Sequence, residues 1–200
     1  MKGRIGVLIS GRGSHLRNLI RKQEEIGAEI AIVISNKANA PGLQYAADAG
    51  IESIVLSHRT FPNREAYDAQ LVQFLKDRNV DLICLAGFLR LLSAKFVRSF
   101  PGKIMNVHPS LLPAFPGLHS QKQALEYGVK ITGCTVHFID EGLDSGPIIL
   151  QNTMEVKDDD TEDSLSERLL PLEHKTYAEA VRLFFEHRLE IRGRTVIISR

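Results

Sequence analysis

Four short apolar runs, residues 4–10, 29–35, 51–56 and 80–87, are each followed by a turn and then by a stretch with helical spacing. A strand buried on both faces of a parallel sheet reads as a continuous apolar run rather than an alternating one. Strands that alternate with helices through short connections are buried most simply as a doubly wound parallel sheet. The expected class is therefore α/β: three layers, α/β/α, around a mostly parallel twisted sheet with a Rossmann-like N-terminal half. Two hundred residues suit one domain, with residues 1–100 as the Rossmann-like half and 101–200 as the second.

The spacing predicts helices over residues 15–25, from Asn39-Ala40-Pro41 to Gly50, and over 63–78, where Ala66, Leu71, Phe74 and Leu75 belong to the inner stripe. Ser93 is placed to cap a short helix reaching Phe100, and another helix covers 119–127. Strands are expected over 133–139 and 148–156. A long helix over 161–187 is expected to be interrupted by Pro171, and a closing hairpin turns near Gly193, pairing Leu189 and Ile191 with Val196 and Ile198.

Hydrophobic residues make up 44% of the chain and charged residues 24%, ordinary values for a soluble globular protein. The net charge of +1 gives no electrostatic case for nucleic acid or an anionic membrane. No apolar run approaches a membrane span, and the N-terminus lacks a secretory cleavage pattern. Cys84 and Cys134 each sit inside an apolar run, as small core residues in a reduced compartment, so a cytoplasmic location is expected.

The chemistry concentrates in residues 104–113, an apolar strand that ends in Asn106-Val107-His108-Pro109-Ser110-Leu111-Leu112-Pro113. Asn106 and His108 are two apart, so on a strand they share a face. They stand where the strand gives way to a loop, the end of an α/β sheet at which ligands bind. An amide donor beside a group that exchanges protons near neutral pH could stabilise an oxyanion and manage a proton. A satisfied strand-end histidine beside a turn-forming asparagine is the alternative.

Gly11-Arg12-Gly13-Ser14 follows the first strand and offers backbone N–H groups to an anion, or is an ordinary strand–helix turn. The dinucleotide fingerprint needs a third glycine where Leu16 stands, and Ser35-Asn36-Lys37 closes the second strand without an acid for a ribose. A single phosphate fits better than a dinucleotide. Asp158-Asp159-Asp160 reads as a helix-start cap rather than a metal site. His137 alternates with Val136 and Phe138 and is expected to be a satisfied sheet histidine. His119 is not assigned a role.

Asn106-x-His108-Pro109-Ser110-Leu111-Leu112-Pro113, Gly133-Cys134-Thr135-Val136-His137-Phe138 and Leu143-Asp144-x-Gly146-Pro147 together resemble the folate-dependent formyltransferases. Within these, the resemblance is to the branch that formylates glycinamide ribonucleotide. It covers about residues 4–192 and includes Gly11-x-Gly13-Ser14, Ser35-Asn36-Lys37, Arg64-Glu65-Ala66-Tyr67, Ala86-Gly87-Phe88 and Glu173-His174.

The resemblance implies transfer of the formyl group of 10-formyltetrahydrofolate, a cosubstrate, to the amine of glycinamide ribonucleotide in purine biosynthesis, with no metal. It places catalysis on Asn106, His108 and Asp144. It places the ribonucleotide on Gly11, Gly13, Ser14, His15 and Glu173. Folate falls to Arg64, Leu89, Arg90, Leu91, Leu92, Asn106, Asp140 and Glu141. The N-terminal half would then hold the phosphate and the second half the catalytic and folate-binding groups, in a monomer or homodimer. Two departures matter: His15 replaces the family's usual asparagine at the phosphate turn, and Pro171 lies in the helix that delivers Glu173.

Other readings are weighed on the same residues. A methionyl-tRNA formyltransferase would be expected to carry a further C-terminal domain, and a 10-formyltetrahydrofolate hydrolase an N-terminal regulatory one. A non-catalytic nucleotide- or folate-binding module would have no reason to hold Asn106, His108 and Asp144 together. A nicotinamide dehydrogenase is disfavoured at Leu16 and at Ser35-Asn36.

Overall fold

The computed structural model describes residues 2–199; Met1 and Arg200, the two ends of the expected domain, lie outside them. The chain forms two compact units divided between Met105 and Asn106. The α/β class is as expected, a mostly parallel mixed sheet flanked by helices.

The first unit holds β1 (Gly3–Ile9), α1 (Ser14–Arg21), α2 (Gln23–Ile26), β2 (Ala28–Ser35), α3 (Gly42–Asp48), β3 (Ser53–Val55), α4 (Arg64–Asp77), β4 (Leu82–Leu85) and α5 (Ala94–Ser99). Its strands stand in the order β3-β2-β1-β4, with β1 parallel to both β2 and β4, and β2 parallel to β3. Ile5, Val7, Leu8, Ile32, Ile34 and Ile83 are fully buried, which is why these strands are apolar without alternation.

The structure departs from expectation at several boundaries and on one helix face. The helix over 15–25 is two helices, broken at Lys22, whose N–H returns to the carbonyls of Asn18 and Leu19. The fourth strand stops at Leu85, and Gly87 at φ 73° turns the chain. In α4 the inner face is Tyr67, Asp68, Leu71 and Leu75, while Ala66 and Phe74 are only half-buried. Asp68 is turned inward because its carboxylate accepts from the N–H of Ser93, 2.6 Å away, at the start of α5.

β5 (Ile104–His108) carries the chain into the second unit. There follow α6 (Ser120–Tyr127), β6 (Ile131–Phe138), β7 (Ile148–Glu155), α7 (Glu162–Phe185), β8 (Leu189–Arg192) and β9 (Thr195–Ile198), with strand order β5-β6-β7-β9-β8. β6 and β7 are antiparallel, β7 meets β9 in parallel at Ile148 and Thr195, and β8 and β9 form the closing hairpin with Leu189 opposite Ile198 and Ile191 opposite Val196.

α7 opens with a capping box between Thr161 and Ser164, and Asp160 beside it takes Arg168, so the acidic turn serves the helix start. Contrary to expectation α7 is not interrupted: its 24 residues run through Pro171. Pro171 lies on the exposed face. There its ring meets solvent rather than the sheet, and only one intrahelical hydrogen bond is lost. The opposite face, with Leu165, Leu169, Thr176 and Tyr177 buried, packs on β6 and β7. Among the described residues no helix is long and apolar enough to cross a membrane.

Candidate active site

In the second unit, four polar side chains from three segments meet. Strand geometry puts Asn106 and His108 on one face of β5. His137 comes from the end of β6, where the β6–β7 register shifts between Val136 and His137. Asp144 comes from the loop between β6 and β7, in a left-handed conformation at φ 47°. Three glycines tighten the surrounding chain. A Cβ at Gly133 would lie 2.0 Å from the carbonyl oxygen of Asn152, and one at Gly146 would lie 1.8 Å from that of Phe138. Gly117 donates its N–H to the Asp144 carboxylate at 2.8 Å.

His108 is 4% exposed. Its Nε2 lies 2.9 Å from the carbonyl of Phe115 and its Nδ1 lies 3.5 Å from Asp144 Oδ2. The Phe115 carbonyl is an acceptor, so Nε2 is the nitrogen that donates to it, while Nδ1 faces the carboxylate.

His137 is fully buried. Its Nδ1 donates to the carbonyl of Phe138 at 2.9 Å, and its Nε2 faces Asn106 Nδ2 at 3.3 Å and Asp144 Oδ1 at 4.0 Å. Burial lowers its pKa below the ordinary 6.5, against the opposing pull of the Phe138 carbonyl and the Asp144 charge. The ring is therefore neutral near pH 7, its approach to Asp144 is not an ion pair, and Nε2 accepts from the Asn106 amide. That bond fixes which end of the amide is NH2 and leaves its second hydrogen for another acceptor.

The Pro109–Pro113 loop is held from behind. Thr135 Oγ1 donates to the Ser110 carbonyl (2.7 Å) and accepts from the Leu112 N–H (3.0 Å) and from Gln151 Nε2 (3.0 Å), which also reaches the Leu112 carbonyl at 2.8 Å. Sequence pattern alone gives no sign of the roles of Thr135, Gln151 and Gly117 or of the part His137 plays. For His137 the TVHF stretch was visible, but alternation tells which face a residue takes and not what stands opposite.

The remaining expected site residues are distributed as follows. Gly13 is the left-handed residue before α1, at φ 74°, and a Cβ there would meet Gly42 Cα at 2.5 Å. Ser14 and His15 open α1, where the first N–H groups of a helix lack intrahelical acceptors. Gly11 accepts from the N–H of Gly42 at 3.1 Å. Leu89 and Leu91 are 63% and 60% exposed on either side of Arg90, whose guanidinium lies 5.0 Å from the centre of the Tyr67 ring. Leu92 is half-buried. Arg64 is exposed, with Glu65 at 3.7 Å. Glu173 is buried on the inner face of α7. Asp140 Oδ1 accepts from Gly142 N–H and Ser145 Oγ, and Glu141 is exposed. His119 is exposed, 3.1 Å from Glu162. Among the described residues, no group of three or more His, Cys, Asp or Glu is placed to hold a metal ion.

A family model described as formyl transferase matches residues 3–181. The chain is 54% identical over 182 residues to the trifunctional purine biosynthetic protein adenosine-3 of Drosophila melanogaster, which is 89% of this chain and spans only 14% of that relative's length. It is 43% identical over 189 residues to phosphoribosylglycinamide formyltransferase of Escherichia coli (strain K12), covering 94% of this chain and 89% of the relative. The crystal structure of glycinamide ribonucleotide transformylase 1 from Symbiobacterium toebii superposes with a TM-score of 0.98 at 49% identity, over 100% of this chain and 95% of that one. Fold, matched residues and relatives agree, and the chain belongs to the formyl transferase family.

Proposed function

We propose that the protein transfers the formyl group of 10-formyltetrahydrofolate to the amine of glycinamide ribonucleotide, a step of purine biosynthesis, with Asn106, His108 and Asp144 as its catalytic residues. The meeting of Asn106, His108, His137 and Asp144 in one cluster is the observation that carries this reading. Attack of the neutral amine forms a carbon–nitrogen bond and moves the carbonyl electron pair onto oxygen. Collapse restores the carbonyl and breaks the bond to the folate nitrogen. One proton leaves the amine and one reaches the departing nitrogen.

Each step asks for a group the cluster contains. The developing oxyanion needs a donor already aimed, and Asn106, oriented by His137, offers its second amide hydrogen. His108, when protonated, adds positive charge beside it. Its two nitrogens face Phe115 and Asp144, so direct donation to substrate requires one of these contacts to open. Asp144 takes up the amine proton directly or through water.

The same reading gives the phosphate to the N–H groups of Gly11, Gly13, Ser14 and His15 and the ribonucleotide's polar groups to Glu173. It gives the folate to Arg64, Leu89, Arg90, Leu91, Leu92, Asn106, Asp140 and Glu141, with the arginines suiting carboxylates. Cytoplasmic residence and a monomer or homodimer complete it, to be checked by fractionation and sedimentation.

The test is turnover of 10-formyltetrahydrofolate with and without glycinamide ribonucleotide, alongside His108→Ala and Asp144→Asn. The expected result is loss of the formyl group only when the amine is present, with kcat down by roughly 10²–10⁴ in each variant. Deformylation that ignores the ribonucleotide would make the protein a hydrolase. Folate binding without turnover would make it a binding module. Full activity of either variant would remove that residue from the mechanism.

A further inference from the structure

The loop that carries Asp144 is closed at its base, where Phe138 N–H donates to the Pro147 carbonyl at 2.9 Å. Inside it, Gly142 N–H and Ser145 Oγ both donate to Asp140 Oδ1, at 2.9 and 2.7 Å. Gly146 leaves no room for a side chain against Phe138. The Ser145 carbonyl, next to Asp144, is held from outside the loop by Arg194, whose Nη2 donates to it at 2.9 Å across 49 positions of sequence.

Arg194 stands at the turn of the β8–β9 hairpin, directly after Gly193 at φ 61°. This hairpin lies beyond residues 3–181, so the family description does not account for it. Its own burial is slight: Ile191, Ile197 and Ile198 are 41%, 37% and 36% exposed, and it meets β7 at the single pair Ile148–Thr195. That pair sits just past the loop, at the first residue of β7. The Arg194 bond and the Ile148–Thr195 pair both fall at the C-terminal shoulder of the Asp144 loop.

We propose that the β8–β9 hairpin is a clamp on this loop and that Arg194 is a positioning residue for Asp144, acting through the Ser145 carbonyl. Its purpose rests on the reading of Asp144 as a group that acts in formyl transfer. A guanidinium donating to a peptide oxygen is a charge-assisted bond with a defined direction. Turning the Ser145 peptide away from it swings the neighbouring Asp144, which already holds a left-handed conformation that non-glycine residues seldom adopt. The carboxylate would then leave the Gly117 N–H and His108. An exposed arginine also carries no core packing, so its removal leaves the fold intact.

Arg194→Ala and Arg194→Lys are to be compared with the wild type in two measurements. Amide exchange at Gly142 and Gly117, whose N–H groups donate to Asp140 and Asp144, is expected to quicken by about tenfold in Arg194→Ala while β6 is unchanged, because the loop opens locally. In steady state kcat is expected to fall about three- to tenfold with KM within about twofold, since a small misplacement of a reacting group costs rate rather than binding. Arg194→Lys, which can still donate, should recover at least about half of the lost rate. In an Asp144→Asn background Arg194→Ala should cost nothing more, because the two act as one unit.

Unchanged exchange in Arg194→Ala would overturn the clamp. Unchanged kcat, or a loss that multiplies undiminished with Asp144→Asn, would overturn the positioning role. Full activity of Asp144→Asn alone, with quickened exchange in Arg194→Ala, would retain the clamp and strike the reading of Asp144 instead.

Discussion

The Nδ1 of His137 is committed to the Phe138 carbonyl, which leaves Nε2 as the acceptor that orients the Asn106 amide. His137→Phe keeps an aromatic ring of similar size and removes that acceptor. With Asn106 unaimed, kcat is expected to fall between roughly fivefold and a hundredfold, the range that follows from leaving one largely buried amide unmet. The same variant isolates a pH effect. Burial depresses the folded-state pKa of His137 below 6.5, so the unfolded chain binds a proton there before the folded chain does. Its contribution to stability is complete above 6.5 and is lost as pH falls below 6.5 towards the folded value. Urea unfolding at about pH 7.5 and about pH 5.5 should show a smaller loss of stability in His137→Phe than in the wild type. Asn106 and His108 stand out by residue type at a strand end, Asp144 stands out only through the family resemblance, and the structure brings the three side chains together. His137 was placed correctly as a satisfied histidine, but its partner comes from a different strand 31 positions away. One sequence does not display that pairing.

At the scale of elements, α7 was expected to break at Pro171 and instead continues for 24 residues. Periodicity gave the helix and its buried face, and proline chemistry gave the lost hydrogen bond. What neither could give is that Pro171 points away from β6 and β7, where the cost is local. Pro171→Ala restores the bond from residue 171 to the Glu167 carbonyl. It is expected to raise the unfolding temperature by a few degrees, about 1–3 kcal/mol in stability, with kcat unchanged because Glu173 is already seated on the inner face. A drop in kcat would show that the proline tunes the placement of Glu173. The short helices show the reverse case. Residues 15–25 carry one continuous helical pattern, yet Lys22 closes α1 and Gly27 at φ 75° closes α2. Breaks of this kind depend on where the next strand must begin, which is a packing demand and leaves no mark in local spacing. The closing hairpin, by contrast, was legible to the register, because Gly193 and the alternation of Leu189, Ile191, Val196 and Ile198 fix it locally.

At the scale of the molecule, the α/β class and the parallel ladders followed from apolar runs that alternate with helices. The network behind the Pro109–Pro113 loop did not, since Gln151 reaches Leu112 across 39 positions and Thr135 reaches Leu112 across 23. Sequence patterns report what a segment does with its neighbours, whereas a site is made by segments that meet only after folding. The two cysteines give access to that folding. Cys84 lies in β4 of the first unit and Cys134 in β6 of the second, and neither has any exposed surface. Burial also raises the pKa of the Cys134 thiol, so both geometry and ionisation protect it. Native protein should thus react negligibly with an aromatic disulfide reagent over minutes and release two equivalents once unfolded. Cys134→Ala and Cys84→Ala then leave one thiol each, turning the pair into separate clocks, one for the opening of each unit. Equal rates would report one cooperative unfolding event, and unequal rates would identify the unit that opens first.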